Sequence, residues 1–150
     1  MTRRFPLQPL LDLANERADL GAQRLALLKL HWQAQENKLQ QLYLGREEYR
    51  RRLADTLAAG VEMPRLRDFQ VFLQKLEEPI RQQQTVVQQC QLSWEECQRA
   101  WLEQRRKQKT FDILKQHHLH AETKRENRLE QREQDEYARN RINQNREYQA

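Results

Sequence analysis

The fold of this chain is decided by residues 11–56, which read LDLANERADLGAQRLALLKLHWQAQENKLQQLYLGREEYRRRLADT. When the chain is followed from Leu11 in alternate steps of three and four residues, almost every position is apolar or small. The pattern lasts about six heptads, more than a coiled coil needs. We therefore expect a long helix whose apolar seam, broken only at Gln35, Arg46 and Thr56, consists of Leu11, Ala14, Ala18, Gly21, Leu25, Leu28, Trp32, Gln35, Leu39, Leu42, Arg46, Tyr49, Leu53 and Thr56.

A stop signal ends the first helical pattern, because Gly60 and Pro64 come just after it. The next stretch of the chain carries an apolar seam of its own. It keeps the same spacing from Phe69 to Phe111, after which we expect the phase to slip to Leu114 and the apolar spacing to fade. Its members are Phe69, Leu73, Leu76, Ile80, Gln83, Val87, Cys90, Trp94, Cys97, Trp101, Gln104, Gln108 and Phe111. Two long helices joined by a short loop fold back on each other. The predicted fold class is all-α: a long two-helix antiparallel coiled-coil hairpin with a polar C-terminal helical extension.

The register of the hairpin follows from a turn near residue 62, because facing residues should then have numbers that add up to about 124. This register places small residues opposite bulky ones, as close packing requires: Ala14, Ala18 and Gly21 face Phe111, Gln104 and Trp101. It also places Trp32 near Cys90 and Trp94.

Residues 1–150 are predicted to form a single coiled-coil domain. Helix one should span about 9–58, the turn about 59–65 and helix two about 66–115. The extension at about 116–150 has no partner helix in this register, and we expect it to be partly disordered when free. Pro79 predicts an irregularity at about 75–79, either as a kink or as a break with Pro79 in the first turn of a new helix.

The composition excludes several classes of protein. Three glycines and four prolines are few for a globule of 150 residues, and 33% of the residues are charged. Disorder is the rival interpretation of such a polar chain, but the regular seams argue against it for most of the sequence. No apolar run of about 20 residues suits a membrane span, and no signal-peptide core follows Arg3 and Arg4. We expect a cytosolic protein.

Candidate chemistry is sparse. His117, His118 and His120 form a cluster, but adjacent helical positions point in different directions, so a chance polar cluster is favoured over a zinc site. Cys90 and Cys97 lie seven residues apart, too far along a helix for a disulfide, and are expected to be buried thiols. No glycine-rich phosphate loop and no activated nucleophile is present. We predict a non-enzymatic protein with no catalytic residues, no metal and no cofactor.

Surplus apolar residues point to protein binding. Tyr43, Leu44, Val71 and Phe72 lie off the seams. The register brings together Leu42, Tyr49, Phe72 and Leu76, a cluster that two helices cannot bury fully. Such a patch marks either a partner site or a bundle formed by self-association.

A basic run at residues 105–109 is close in the register to Arg17 and near the end that carries Arg3 and Arg4. The interpretation of this run without a function is a solvated helix face. The functional interpretation is docking to an acidic protein surface. The formal net charge of +5 also leaves nucleic acid open, although aromatic residues are not interleaved with the run, and nucleic acid is not expected.

Three ordered landmarks resemble the family of the flagellar type III export protein FliJ. The first is FPLQPLLDLA at residues 5–14. The second combines Glu48-Tyr49-Arg50 with FQVFL at 69–73 and Leu76-Glu77. The third is ENRLEQ at 126–131 followed by DEYA at 135–138. The likeness covers nearly the whole chain.

The resemblance implies a cytosolic coiled-coil component of the export apparatus, peripherally associated with the inner membrane, that looks like the central stalk of a rotary ATPase. Its implied partners are the hexameric export ATPase (FliI-like), the cytosolic region of the export gate (FlhA-like) and export chaperones. The gate face matches Leu42, Tyr49, Phe72 and Leu76. By the same resemblance the ATPase would hold the end with both termini, where Arg3, Arg4, Arg105, Arg106 and Lys107 are the candidates. The sequence departs from the family at Gly45, where an aromatic is expected, and at Pro79; Tyr43 or Leu44 could supply the missing side chain. The alternative is a generic homo-oligomeric scaffold.

Overall fold

The computed structural model describes residues 3–60 and 62–149, which hold two helices. Helix α1 spans Gln8–Ala59 and helix α2 spans Met63–Gln149. No strand occurs in these ranges. The helices pack against each other, and the predicted all-α hairpin is confirmed.

The connection between the helices is shorter than the predicted turn at 59–65. Gly60 has a φ of 86°, the left-handed region that favours glycine at the end of a helix. The N–H groups of Arg65 and Leu66 donate to the carbonyl oxygen of Glu62, at 3.1 and 3.2 Å. Pro64 therefore lies in the first turn of α2. Backbone N–H groups in the first turn have no acceptor within the helix, so the N–H that proline lacks costs no helical hydrogen bond there. Val61, which also falls in the predicted turn, lies outside the described residues.

The chain divides into two compact units, and each is described by itself. The terminal unit contains the residues up to Ala18 and those from Gln104 onward. The loop unit contains Asp19–Glu103.

In the loop unit the two helices run in opposite directions. Gly21 lies against Trp101, the Trp32 ring is 5.7 Å from the Trp94 ring, and Arg46 Nη1 is 3.6 Å from Glu77 Oε1. In these contacts the residue numbers on α1 rise as those on α2 fall. The two residue numbers of each pair add up to within a few units of the predicted 124. Every predicted seam position in this unit is buried or half-buried. Cys90 and Cys97 are free thiols, but they are half-buried and not buried as predicted.

Two glutamines at seam positions of the loop unit pair across the seam. Gln83 Nε2 donates to both the carbonyl oxygen and the side-chain oxygen of Gln35, each at 2.9 Å. Because a buried amide without a partner is costly, this pairing explains how glutamines are tolerated at two seam positions. The pairing also favours the observed register, since a shift of one heptad would separate the two side chains.

In the terminal unit the seam continues further than predicted. Leu11, Ala14 and Ala18 are buried. The expected slip to Leu114 after Phe111 is wrong, because Leu114 is exposed and the buried and half-buried positions keep the same steps through Lys115, His118, Glu122 and Arg125. The reason is that residues 3–7, which precede α1, cover this part of α2, so polar side chains fill seam positions where the sequence offers no apolar ones.

The second helix also departs from its predicted limits. The structure has α2 unbroken through Pro79, so the helix does not end and restart there. Pro79 is exposed, which lets water reach the carbonyl that loses its helical bond, and the neighbouring Ile80 is buried. The predicted extension belongs to the same helix, which reaches Gln149 and not about 115; Ala150 lies outside the described residues. Every residue from Glu126 to Gln149 is exposed.

Candidate partner-binding surfaces

Three aromatic rings form a cluster near the connection, in the loop unit. We call Tyr49, Phe69 and Phe72 the aromatic cluster. The Tyr49 ring centre is 4.3 Å from that of Phe72 and 5.3 Å from that of Phe69, with tilted planes. Tyr49 and Phe69 occupy seam positions, whereas Phe72 lies beside the seam and is 44% exposed. A large ring is therefore held in a fixed place by its neighbours while much of its surface stays in water.

The predicted gate face is only partly assembled around this cluster. Tyr49 and Phe72 are in direct ring contact. Leu42 and Leu76 are half-buried seam residues, each one heptad away from a ring of the cluster on its own helix. The exposed Leu44 and Val71 lie on other faces of their helices, because neighbouring residues of a helix are rotated by about 100°.

Gly45 leaves an open place beside the aromatic cluster. Apart from its chain neighbours and the backbone of its own helix, no atom lies within 4 Å of where its Cβ would be. Tyr43 does not fill this place, because residues two apart in a helix point about 200° apart. The Tyr43 hydroxyl instead accepts a hydrogen bond from Gln84 Nε2 at 2.7 Å, and the Arg46 guanidinium carbon lies 5.1 Å from the ring centre. Leu44 is exposed on an adjacent face and does not fill it either.

In the terminal unit, residues 3–7 form a strap over α2. His118 Nε2 is 2.9 Å from the carbonyl oxygen of Arg3, and since a carbonyl can only accept, the imidazole N–H donates. The Arg3 N–H donates to Glu122 Oε2 at 3.4 Å, and the Phe5 ring centre is 5.6 Å from that of His118. Glu122, 8% exposed, also forms an ion pair with Arg125 at 2.9 Å. One buried carboxylate thus joins the strap to the helix.

Replacing Glu122 with alanine is expected to release this strap. The change removes the acceptor of the Arg3 N–H and leaves the half-buried Arg125 guanidinium without its carboxylate. Hydrogen exchange at the amides of residues 3–10, measured by mass spectrometry, should become faster by about tenfold or more for a loss of one to two charge-assisted bonds. The control is Glu126→Ala, one turn further on, where the side chain is exposed. Equal exchange rates in the two variants would show that the strap does not depend on this carboxylate.

The five predicted basic residues lie in the terminal unit, but the structure does not gather them into one patch. Arg3, Arg4, Arg106 and Lys107 are exposed. Arg105 is engaged with another residue. Lys107 and His118, which contacts Arg3, are separated by eleven positions of α2, or about 16 Å of helix rise. Arg105, Arg106 and Lys107 are consecutive and so point in three directions around the helix.

Charge along the exposed end of α2 is partly segregated, a feature not predicted from the sequence. Between Glu126 and Gln149, four of the five arginines lie on one side of the helix and the glutamates lie on a different side, whereas Arg141 lies among the glutamates and Asp135 among the arginines. One side carries Arg128, Arg132, Arg139 and Arg146; the other carries Glu126, Glu130, Glu133 and Glu136. Attention to opposite charges four residues apart concealed this pattern, which appears when like charges are followed at helical spacing.

No helix in the ranges 3–60 and 62–149 is long and apolar enough to cross a membrane. Within the same ranges, no group of three or more His, Cys, Asp or Glu side chains is placed to hold a metal ion. His118, from the histidine cluster, is engaged with the strap.

A coiled-coil hairpin that exposes aromatic and charged side chains defines a class of interaction protein. Comparison with known proteins identifies the group within this class. The family model described as "Flagellar FliJ protein" matches residues 3–147, and the chain belongs to this family. It is 28% identical over 138 residues to the flagellar FliJ protein of Escherichia coli (strain K12) and 27% identical over 138 residues to that of Salmonella typhi. Each match covers 92% of this chain and 94% of the relative.

No solved structure gives a significant match. Membership of the family makes the chain a component of flagellar protein export and a non-enzymatic protein. The resemblance seen in the three sequence landmarks is therefore confirmed.

Proposed function

We propose that this chain binds both the ATPase ring and the export gate of the flagellar export apparatus, as a stalk-like, non-enzymatic component. The observation that carries the proposal is Phe72, a phenyl ring 44% exposed and held against Tyr49. A ring fixed in this way loses little conformational freedom when a partner covers it, which is how aromatic residues become the centres of protein interfaces.

The gate is assigned to the loop unit. The aromatic cluster with Leu42 and Leu76 offers a small apolar surface, and Gly45 leaves room beside it for a side chain of the partner. Arg46 and Glu77 flank the cluster with a partly exposed ion pair, suited to the polar rim of an interface. The cytosolic region of an FlhA-like gate protein is the proposed partner at Leu42, Tyr49, Phe72 and Leu76.

The export ATPase is assigned to the terminal unit. Its exposed cations Arg3, Arg4, Arg106 and Lys107, with the engaged Arg105, give an attractive field for an acidic ring surface without a shaped pocket. The arginine side of the exposed end of α2 extends that field. A FliI-like hexamer is the proposed partner, with export chaperones as further partners, and the site of action is the cytoplasmic side of the inner membrane.

The experiment separates the two contacts with two double variants of the full chain. Phe72→Ala with Leu76→Ala should weaken binding to the gate's cytosolic region by about tenfold or more and leave ATPase binding unchanged. Arg106→Glu with Lys107→Glu should weaken binding to the ATPase, more strongly at low salt, and leave gate binding unchanged. Affinities are measured by calorimetry after circular dichroism has shown the helical content to be intact.

Val71→Ala is the matched control for the gate contact, since Val71 is 47% exposed next to Phe72 but on another face of α2. If the Phe72 and Leu76 variant binds the gate region as tightly as this control does, the gate assignment is wrong. If each double variant loses both partners, the two contacts are not separate. Sedimentation of the unmodified chain as a stable oligomer would favour the homo-oligomeric scaffold.

A further inference from the structure

Helix α1 carries a second heptad pattern within the loop unit, on a face that does not meet α2. Leu20, Leu27 and Ala34 recur every seven residues, and each is followed four residues later by Arg24, His31 or Lys38. All six residues are exposed. We call them the second seam.

The second seam is left open by the hairpin. The positions that hold α2 include Leu25, Leu28 and Trp32, which are half-buried and lie on the neighbouring face of α1. By contrast Leu20 is 57% exposed and Leu27 is 67% exposed, and Leu30, one turn beyond Leu27, is 64% exposed. Large apolar side chains at heptad spacing in water are the pattern that a further helix covers.

The charge along this face has a single sign. Helix α1 contains no acidic residue between Asp19 and Glu36. The side chains of Arg24, His31 and Lys38 form no ion pair or hydrogen bond with any residue in the described part of the chain. Elsewhere in the unit some arginines, among them Arg46, Arg50 and Arg52, have carboxylate partners within their own hairpin. The two cations of the second seam, Arg24 and Lys38, are therefore available to a partner.

We propose that the second seam binds an amphipathic helix of another protein whose apolar row is flanked by Glu or Asp. Leucines at intervals of seven would pack into the apolar row of that helix, because two helices stay in contact only when their contact residues recur about every 3.5 positions. Arg24, His31 and Lys38 would pair with its carboxylates and select an acidic helix over a basic one. This contact is separate from the proposed gate and ATPase contacts.

A membrane surface is the competing explanation of a basic amphipathic helix. Helices that lie on lipid bury a broad apolar side that includes aromatic residues, with several cations along its edges. The second seam has one row of aliphatic residues, no Phe, Tyr or Trp, and two cations, Arg24 and Lys38. The narrow width of this row and its seven-residue interval match the contact surface of a partner helix better than that of a membrane.

The test uses a designed peptide as the probe. The peptide has three heptads with Leu at the two contact positions and Glu at the flanking positions, and a control peptide has Lys in place of Glu. Fluorescence anisotropy measures binding of each labelled peptide to the full chain. We expect the acidic peptide to bind the unmodified chain at least about tenfold more tightly than the basic one. Equal binding of the two peptides would overturn the proposal.

Variants of the chain locate the contact. Arg24→Glu with Lys38→Glu should lower the affinity for the acidic peptide by about tenfold or more, because attraction becomes repulsion at two positions. The control is Arg51→Glu with Lys75→Glu, which makes the same change of net charge at exposed sites of the loop unit off this face. Leu20→Gln with Leu27→Gln should also weaken binding, compared with Leu92→Gln, where the leucine is 57% exposed on α2. If either variant of the second seam binds the acidic peptide as tightly as its control does, the second seam is not the binding site and the proposal is wrong.

Two further measurements distinguish other occupants. If vesicles with anionic lipid bind the unmodified chain but not the Arg24 and Lys38 variant, while the acidic peptide does not bind, the face is a membrane site and the proposal fails. If the unmodified chain sediments as a dimer and that variant as a monomer, a second copy is the occupant and the proposal also fails. The Phe72 and Leu76 variant should bind the peptide normally, so this test does not depend on the gate contact.

Discussion

Ile80→Ala should lower the free energy of unfolding by about 2–5 kcal/mol, the cost of removing a large aliphatic side chain from a packed site. Ile80 is 2% exposed and is the only residue that is buried, and not half-buried, among the described residues of the loop unit. It also follows Pro79, where α2 lacks a backbone hydrogen bond. Burial of Ile80 therefore stabilises α2 directly beside this missing bond.

Urea unfolding followed by circular dichroism measures this effect. The matched control is Val71→Ala, because Val71 lies on the same helix and is 47% exposed. The control should change stability by less than about 1 kcal/mol, as exposed substitutions usually do. If Ile80→Ala and Val71→Ala shift the urea midpoint equally, the burial of Ile80 adds nothing to the free energy of unfolding beyond what an exposed residue adds. Pro79 is then accommodated in another way.

Gly21→Leu is expected to have the second large effect. A Cβ at Gly21 would lie 3.1 Å from Trp101 Cδ1, and the rest of a leucine side chain would need space that the indole occupies. Overpacking of this kind costs about 1–3 kcal/mol, and here it should outweigh the roughly 1 kcal/mol that a helix gains when glycine is replaced. The thermal midpoint should fall, and tryptophan fluorescence should change because Trp101 is displaced.

Gly45→Ala is the control with the opposite sign. Gly45 is also inside α1, but nothing lies within 4 Å of its would-be Cβ. The substitution should raise stability by about 0.5–1 kcal/mol, since alanine loses less backbone freedom in a helix than glycine does. Two glycines of one helix should thus respond in opposite directions. A stabilising effect of Gly21→Leu would mean that Trp101 moves aside at little cost.

Much of the hairpin could be predicted from the sequence because a heptad pattern is a local property. In a helix every side chain's direction follows from its position, so Leu25, Trp32 and Leu39 share a side whatever else the chain does. The register followed from the turn, and the contact of Trp32 with Trp94 agrees with it. The glutamines that break the pattern could not be interpreted in this way, since their pairing depends on which residue stands opposite.

The extent of the seam was misjudged for the same reason. Its continuation through His118 and Glu122 depends on a strap that is not helical and therefore has no period to follow. The family landmarks suggested the aromatic cluster, and the register brought Tyr49 near Phe72. The heptad recurrence of Leu20, Leu27 and Ala34 is visible in the sequence, but their exposure follows only from the structure, because α2 covers another face of α1.

By itself the sequence determined that the chain forms two long helices, which side of each would be covered and that they would run antiparallel. These properties depend on 3.6 residues per turn and on a glycine that ends a helix. Only the tertiary structure decided which side chains would remain in water: Phe72 against Tyr49, the leucines of the second seam, and the charged sides of the end of α2. Exposure depends on what the rest of the chain covers, and no local pattern contains that information.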